Sequence, residues 1–124
     1  MKKDNFIKGR KGENIAKNFL LAKGFNWIES NYSNVFGEVD LVMIDKDSLV
    51  FVEVKMKNGD NFGNPEEMIT KGKIRQVKRV ATSYMVFRPE VANNFEKYRI
   101  DAVCIACRDD GDISRINHYE NIYE

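Results

Sequence analysis

Two neighbouring apolar segments carry charged side chains at every second position. Glu38 and Asp40 lie in the first segment, and Glu53 and Lys55 lie in the second. Because side chains at positions i and i+2 of a strand point to the same face, each pair shares one face of its strand. Carboxylate oxygens grouped in this way are ligands for hard divalent cations such as Mg²⁺ or Mn²⁺.

The short connection between the two segments predicts an antiparallel hairpin. Only Asp45–Ser48 separates them, and a symmetric even-numbered turn places Asp40 opposite Glu53 and Glu38 opposite Lys55. Directly opposed side chains have Cβ atoms about 4.5 to 5.5 Å apart. Two carboxylates at that distance repel each other, and a divalent cation between them would turn the repulsion into attraction.

The rest of the hairpin is apolar on both faces, so both faces are expected to be covered. Neighbours on the charged face are Phe36, Val42, Ile44, Leu49 and Phe51. The opposite face carries Val39, Leu41, Met43, Val50, Val52 and Val54. Charges inside a two-sided apolar hairpin are costly unless they are paired or bound to a metal. This pattern favours a site over the alternative, a solvated sheet face.

The predicted ligands of the cation are the carboxylates of Asp40 and Glu53 and the carbonyl of Val54. A cation held there would activate a water molecule and stabilise charge on a phosphodiester. Lys55 would lie beside that water and could orient it, lower its pKa or stabilise the phosphorus centre, three roles that the residues leave open. Glu13 borders the apolar face of the first helix, and on spacing alone it is a boundary residue that reaches solvent.

Periodicity and breaking residues predict the element order α-β-β-β-α-β-β. The predicted elements are a helix over residues 5–23, strands over 25–33, 36–44 and 49–57, a helix over 64–87, and strands over 98–107 and 113–119. In the first strand, Phe25, Trp27 and Glu29 are expected on one side. Asn64 is the predicted N-cap of the second helix, because Pro65 suits its first turn.

The two cysteines, Cys104 and Cys107, are predicted to be structural. Their Cys-x-x-Cys spacing invites a zinc or redox interpretation, but both fall in an apolar run that is typical of a buried strand. An odd offset in a strand points them to opposite faces. The chain has a single histidine, His118, and no second cysteine pair to complete a metal site.

Composition indicates one globular domain over residues 1–124, with 43% hydrophobic and 31% charged residues. No apolar run approaches the roughly 20 residues of a spanning helix, and no signal core follows the N-terminus, so we expect a cytoplasmic protein without membrane contact. The net charge of +1 is unevenly distributed. Lys and Arg dominate residues 1–27 and 71–100 and acids dominate 28–70, a pattern that suits a cation site flanked by phosphate-attracting surfaces, or simply solvated helix faces.

Several motifs together resemble the bacterial YraN-like family, an uncharacterised family assigned to the restriction-endonuclease-like nuclease superfamily. The resemblance covers roughly residues 6–122 and rests on Gly9-x-x-Gly12-Glu13-x-x-Ala16, Asn31, Gly37-Glu38-Val39-Asp40-Leu41-Val42, Val50-Phe51-Val52-Glu53-Val54-Lys55, Phe62-Gly63-x-Pro65 and Lys73. The superfamily motif Asp…(Asp/Glu)-x-Lys corresponds to Asp40, Glu53 and Lys55. The layout is similar to that of archaeal Holliday-junction resolvases, which also carry an acid on the first helix.

The resemblance implies a restriction-endonuclease-like fold, with a mixed central sheet flanked by helices, and a Mg²⁺- or Mn²⁺-dependent endonuclease. It adds Glu13 to the catalytic set of Asp40, Glu53 and Lys55. Glu38 is then a supporting acid, paired with Lys55. Branched-DNA nucleases of this architecture often form dimers, so a homodimer is expected by analogy.

Basic residues supply the expected DNA contacts. Lys57 stands where the family commonly has Arg, and Lys binds phosphate only as a point charge. Lys73 matches a family position on the inward side of the second helix and is expected to support the site. The remaining basic residues of that helix are phosphate contacts or solvated charges, with equal weight: Lys71, Arg75, Lys78 and Arg79.

The sequence therefore predicts an endonuclease acting on duplex or branched DNA. Two alternatives stay open. One is a nucleic-acid-binding module of the same fold without catalysis. The other is a protein-interaction domain whose charged face docks a partner.

Overall fold

A computed structural model describes residues 2–59 and 63–123, with side chains from residue 10 onward. Its helices are α1 (Lys2–Ala22), α2 (Lys71–Phe87) and α3 (Pro89–Ala92), and its strands are β1 (Asn26–Asn34), β2 (Gly37–Asp45), β3 (Ser48–Asn58), β4 (Lys97–Cys107) and β5 (Ile113–Tyr119). A 3-10 turn, Pro65–Met68, precedes α2. The predicted element order is confirmed, and the two short segments are additions to it.

The five strands form one mixed sheet in the order β1-β2-β3-β4-β5. Strands β3 and β4 are parallel, and the other neighbours are antiparallel. The chemistry of the connections explains this pattern, since a tight turn can join only antiparallel strands, whereas a parallel pair needs a crossover that here contains α2. The predicted α/β class with a mixed sheet is confirmed.

The sheet is covered on both faces, as the apolar hairpin predicted. On one face α1 packs through Ala16 and Leu20. On the other face α2 packs through Val77, Val80 and Tyr84. The α1-side cluster contains Leu41, Met43, Val50 and Val52, and the α2-side cluster contains Val42, Leu49 and Phe51. Strands β2 and β3 therefore run through the centre of the molecule with little contact with solvent.

Val39 was predicted on the same face as Leu41, and this was wrong. Val39 and its β1 partner Tyr32 join the α2-side cluster, whereas Leu41 joins the α1-side cluster. On β1, Asn31 lies between Ser30 and Tyr32, the partners of Leu41 and Val39, and its φ of 56° is left-handed. A left-handed residue inside a strand breaks the alternation of side chains, so the face assignment changes at this point.

The first helix ends where the sequence indicated. It closes at Ala22, and Gly24 follows with a φ of 99°, a value that glycine adopts at little cost. Phe25, just before β1, joins the α1-side cluster, and Trp27 lies on the same side, with its ring centroid 3.8 Å from Nζ of Lys17 on α1, so the shared side predicted for these two is confirmed. Glu29 was predicted on that side too, and this was wrong, because it accepts a hydrogen bond from Tyr84 of α2. A register shift between Trp27 and Glu29 marks a bulge that disturbs the alternation.

No helix in the described ranges is both long and apolar enough to cross a membrane.

The second helix begins at Lys71, later than predicted. Asn64 makes no side-chain cap bond, and Ile69 has a non-helical backbone, with φ −96° and ψ 87°. Thr70 is the actual N-cap, and its side-chain oxygen accepts a hydrogen bond from the N–H of Lys73 at 3.1 Å. Tertiary contacts explain why α2 begins later in the chain than predicted.

One of these contacts is an ion pair in which Arg115 of β5 donates to Glu66 at 2.7 Å. It ties the 3-10 turn to the sheet. Ile69 lines a small apolar cavity of about 210 Å³ between α2 and the sheet. These anchors outweigh the helix propensity of the segment, which Gly72 in the first turn of α2 weakens further.

Both cysteines lie in β4, are buried and have free thiols. Cys107 belongs to the α1-side cluster, and Cys104 lines the cavity on the opposite face. The predicted opposite orientation is confirmed. Burial raises the pKa of the Cys104 thiol to about 12, which keeps it protonated and unreactive at neutral pH.

Candidate active site

The two central strands separate at one end of their hairpin, and the acidic residues lie at this fork. Pairing runs from Asp45 opposite Ser48 to Leu41 opposite Val52, which is the register that the symmetric turn predicted. Asp40 and Glu53 come directly after the last pair. The N–H of Val54 donates a hydrogen bond of 2.7 Å to Oδ2 of Asp40. The Asp40 carboxylate therefore takes the place of a backbone carbonyl as the acceptor on β2.

Glu53 is buried, with 3% of its surface exposed. Its Oε1 atom lies 3.5 Å from Nζ of Lys55, and its Oε2 atom lies 3.9 Å from Nζ of Lys73. Oε2 has no hydrogen-bond partner among the described residues. An unpartnered carboxylate oxygen in such a position is costly, and a cation or a polar ligand would remove that cost.

The pKa of Glu53 is raised to about 8. Burial is the main cause, the charge of Asp40 adds to it, and Lys73 and Lys55 oppose it. Burial also raises the pKa of Asp40, against the N–H of Val54 and the two lysines. Two neighbouring carboxyls with raised pKa values form a site in which a bound cation would favour the ionised forms.

A second acidic group adjoins the first and shares Asp40 with it. Carboxylate oxygens of Glu13, Glu38 and Asp40 all lie within 4.8 Å of one another. The pKa of Glu13 is raised to about 7, mainly by burial and also by the charge of Asp40, and a hydrogen bond with Asn31 opposes the rise. Glu13 therefore faces the site from α1. Glu13 is half-buried, as helix spacing suggested, but its carboxylate lies beside Asp40, which is the location that the family resemblance implied.

Asn31 is the residue whose importance sequence reasoning missed. It appears in the family pattern, but no role was inferred for it. In the structure its left-handed backbone lies in the interior of β1, and its side chain bonds to Glu13. Asn tolerates the left-handed region better than most residues, so an Asn in a strand-like segment was the available signal. Sparsely populated backbone conformations are concentrated at functional sites.

The predicted pair of Glu38 and Lys55 is wrong. Cross-strand pairing stops at Leu41, so Glu38 has no partner on β3 and instead lies opposite Ser33 of β1. Lys55 makes its ion pair with Glu53, its neighbour on the same strand face. The divergence of β2 and β3 is the physical reason, since it moves Glu38 toward α1 and leaves Lys55 with β3.

Among the basic residues, Lys73 reaches the site, through its contact with Glu53. Lys57 is half-buried on β3, two residues beyond Lys55. Lys71 and Arg75 are exposed and line a shallow depression at the start of α2, and Arg79 is exposed further along the helix. These positions are compatible with the predicted DNA contacts.

Lys78 is placed elsewhere. Its ammonium group bonds to the hydroxyl of Tyr98 and lies 4.5 and 4.6 Å from the ring centroids of Tyr98 and Tyr123. Tyr98 pairs with Leu49, four residues before Glu53 along the strand, so Lys78 lies about 13 Å from the acids. A phosphate contact by Lys78 would have to compete with these tyrosines.

A second buried carboxylate, Asp101, lies on β4. It is fully buried and accepts hydrogen bonds from Nε of Arg99 at 2.9 Å, Nε2 of His118 at 2.8 Å and the N–H of Asn121 at 3.0 Å. Burial alone would raise its pKa, but the bonds from His118, Arg99 and Asn121 together lower it. The sequence analysis considered His118 only as a candidate zinc ligand and did not predict this hydrogen-bond network.

The hairpin fork and its acids define a class of site, a cluster of carboxylates with adjacent lysines on a mixed α/β sheet. Residues 12–105 match the family described as "Uncharacterised protein family UPF0102". That range contains every acid and lysine of the fork.

Similar proteins come from distant bacteria. A UPF0102 protein of Syntrophomonas wolfei is 38% identical over 112 residues, which cover 90% of this chain and 93% of the relative. One of Pelotomaculum thermopropionicum is 33% identical over 115 residues, 93% of each chain. One of Shewanella sediminis is 38% identical over 96 residues, 77% of this chain and 74% of the relative. The chain belongs to the UPF0102 family, as the YraN-like resemblance predicted.

Proposed function

We propose that this protein is a nuclease of the restriction-endonuclease-like fold that hydrolyses DNA phosphodiester bonds with the help of Mg²⁺ or Mn²⁺. One observation carries the proposal: the buried oxygen Oε2 of Glu53 has no hydrogen-bond partner among the described residues and lies next to Asp40. A structural carboxylate in such a position would be expected to have hydrogen bonds to both oxygens. A ligand that brings positive charge explains why this one does not.

The residues at the fork fit a hard divalent cation. Asp40 and Glu53 would hold it, together with the carbonyl of Val54, and Glu13 and Glu38 extend the same set of oxygen donors. Carboxylates are the preferred ligands of Mg²⁺ and Mn²⁺, and the described residues that form the site include no histidine or thiol that would favour a softer metal. When bound, such an ion polarises the phosphodiester and lowers the pKa of a coordinated water.

Lys55 and Glu13 are the residues placed to act on protons and charge. The ammonium group of Lys55, next to Glu53 and partly open to solvent, can orient an attacking water or stabilise the negative charge that develops on the phosphorus oxygens. Glu13 has a pKa of about 7 and so can accept or release a proton near neutral pH. Lys71, Arg75 and Arg79 would hold the DNA backbone.

The test is a cleavage assay with Mg²⁺ or Mn²⁺ on linear, nicked and four-way DNA. We expect the wild type to cut at least one of these substrates, and Asp40→Asn and Lys55→Ala to reduce the rate by about 100-fold or more. Lys46→Ala is the matched control, because Lys46 is exposed at the opposite end of the same hairpin. It should cut like the wild type.

Binding without cutting would contradict the proposal and favour the nucleic-acid-binding module. Cutting that survives Asp40→Asn and Lys55→Ala would indicate a contaminating nuclease. Calorimetric titration with Mn²⁺ separates metal binding from catalysis. Lys55→Ala should still bind the ion, whereas Asp40→Asn should lose at least about tenfold in affinity.

A further inference from the structure

The turn between β1 and β2 exposes two apolar side chains beside the acidic fork. Val35 is 91% exposed and Phe36 is 47% exposed. Turns of this kind usually carry Gly, Asn, Asp or Ser, whose backbone and side-chain chemistry suits them. Valine and phenylalanine bring no such advantage to a turn, and their contact with water is unfavourable. Side by side at the acidic fork, they offer an apolar surface to a ligand.

The turn is held in a defined shape by neighbouring side chains. Oδ1 of Asn34 accepts a hydrogen bond of 2.9 Å from the N–H of Phe36, and Nδ2 of Asn34 donates a bond of 2.7 Å to Oγ of Ser83 on α2. Gly37 follows with a φ of 141°, and a Cβ at this position would lie 2.6 Å from Nε2 of Gln76. The helix thus packs directly against the backbone of the turn.

Gln76 also connects the turn to the acidic fork. Its Nε2 atom lies 3.4 Å from the carbonyl oxygen of Phe36, and its Oε1 atom lies 3.4 Å from Nζ of Lys73. Lys73 in turn contacts Glu53. Along the chain, Phe36 stands two residues before Glu38, about 7 Å in an extended strand. This length corresponds to about two base steps of a nucleic-acid strand at 3.4 Å each.

A positive charge flanks the turn on the helix side. Arg79 is exposed and lies three residues after Gln76 and four before Ser83, the two α2 residues that contact the turn. Residues at these spacings are neighbours on a helix surface. Arg79 would hold one phosphate, and a cation bound at the fork would hold another, so the apolar tip lies where an unstacked base between them would be.

We propose that Val35 and Phe36 form a wedge that inserts at an interrupted or branched base step and stacks against the base exposed there. This inference rests on the proposed DNA-cleaving function and narrows its substrate to DNA with an unstacked base one or two steps from the cleaved phosphate. Apolar side chains enter base steps in this way, and aromatic rings stack on bases of any sequence. Continuous duplex DNA, which offers no open step, is the poorer ligand.

The experiment uses 2-aminopurine, a fluorescent base, placed next to the branch of a flapped duplex and, separately, in a continuous duplex. Binding is measured at low salt in EDTA, so that the signal does not depend on cutting. With the wild type we expect increased fluorescence of the flapped DNA as the base leaves its neighbours. Phe36→Ala should lose most of this increase and about tenfold in affinity for the flapped DNA, with little change for the continuous duplex. Phe36→Trp should retain both.

Ile113→Ala is the control, because Ile113 is a 41% exposed apolar residue on β5, at the edge of the sheet opposite β1. It should behave like the wild type. Thermal unfolding of each variant tests whether the fold is intact, which is expected because only exposed side chains are changed.

The outcomes separate the two proposals when cleavage with Mn²⁺ is measured in parallel. If Phe36→Ala gives the wild-type fluorescence change and cleavage rate, the wedge is overturned and the nuclease stands. If the wild type opens the base but no substrate is cut, the wedge stands and the nuclease fails. No DNA binding by the wild type at low salt overturns both. Loss of a protein contact in Phe36→Ala, with the DNA signals unchanged, would make the turn a protein-docking site and also overturn the wedge.

Discussion

Glu53 and Asp101 are buried carboxylates on adjacent strands, one step apart in the β3–β4 register, and they face opposite sides of the sheet. Asp101 pairs with Val52, and Glu53 pairs with Ala102. Asp101 receives three kinds of hydrogen bond and has a lowered pKa. Glu53 has an oxygen without a hydrogen-bond partner in the described part of the chain, and its pKa is raised. Both carboxylates are buried, so their different hydrogen-bond partners account for the opposite directions of their pKa shifts.

The comparison separates a carboxylate that stabilises the fold from one that is kept available for a ligand. Asp101 joins β4 to β5 through His118 and to the following segment through Asn121, so its charge is compensated within the chain. Glu53 has two lysines at 3.5 and 3.9 Å but no close bond to Oε2. A charge that is incompletely compensated lowers stability, and a bound cation would return that stability.

The largest effect is expected from Asp101→Asn. This change removes the negative charge and leaves Arg99 and His118 with a poor acceptor, so we expect a loss of about 3 to 5 kcal/mol in the free energy of unfolding. Urea denaturation measures it. Asp47→Asn is the control, because Asp47 is exposed in its ion pair with Lys97 and should change stability by less than about 1 kcal/mol. Equal effects of the two changes would remove the distinction between a structural and an exposed acid.

Glu53→Gln should act in the opposite sense in the metal-free protein. Removing a charge that is costly to bury should leave the protein as stable at pH 8 or raise its stability by about 1 kcal/mol. The wild type should gain about 2.7 kcal/mol when Mn²⁺ is present at 100 times its dissociation constant, and Glu53→Gln should lose most of that gain. Thermal unfolding with and without Mn²⁺ measures both. A strong destabilisation of metal-free Glu53→Gln would mean that Glu53, like Asp101, serves the fold.

Buried acids with raised pKa values and the one with a lowered pKa should also change stability with pH in opposite directions. Glu13 and Glu53 have raised pKa values of about 7 and 8, so their contribution is complete below about pH 4.5 and is lost as the pH rises through 7 to 8. Asp101 has a lowered pKa, so its contribution is present above about pH 4 and is lost in stronger acid.

Metal-free wild type should therefore lose stability between about pH 5 and pH 8, by at most about 1.4 kcal/mol per pH unit for each of the two groups. Unfolding curves at several pH values measure the slope. It should be smaller in Glu53→Gln, and saturating Mn²⁺ should remove it because the ion binds the deprotonated acids. A flat profile for the metal-free wild type would contradict the raised pKa values.

The smallest effect is expected from Lys73→Gln. Loss of the ammonium group 3.9 Å from Glu53 should raise the pKa of Glu53 further and weaken Mn²⁺ binding at pH 7 by a few-fold, since a contact at this distance contributes less than about 1 kcal/mol. Calorimetry across pH 6 to 9 measures it. Lys71→Gln, at an exposed position in the same helical turn, should leave the affinity unchanged. Identical results for the two variants would exclude a role for Lys73 in tuning the site.

Local patterns predicted much of the fold and part of this site. Alternating apolar residues and a short turn gave the hairpin register and so brought Asp40 to Glu53, because both signals are local in sequence. The start of α2 could not be predicted in the same way. It depends on contacts of Glu66 with Arg115 and of Ile69 with the sheet, which are distant along the chain.

The details that separate Glu53 from Asp101 also lie beyond sequence pattern. Pairing of Asp101 with His118 requires β5 to be placed beside β4, and the bond from Asn121 requires the following segment to return to the sheet. Divergence of β2 and β3 at Asp40 occurs beside the left-handed backbone of Asn31 on the neighbouring strand, and neither feature is marked by a local pattern. Such outcomes follow from the competition of many contacts, which no short window of residues contains.

The sequential strand order has a consequence for how the molecule folds. Strands β1, β2 and β3 are joined by tight turns, so their pairing closes only short loops, whereas the parallel β3–β4 pair must close a long one through α2. Local contacts form faster than distant ones, so we expect the three-stranded meander to assemble early and β4 to dock late. The strand residues of the fork, from Glu38 to Lys55, belong to the early unit. Asp101 gains its partners only in the last step, so mutations there should mainly accelerate unfolding, whereas mutations in the meander core should slow folding.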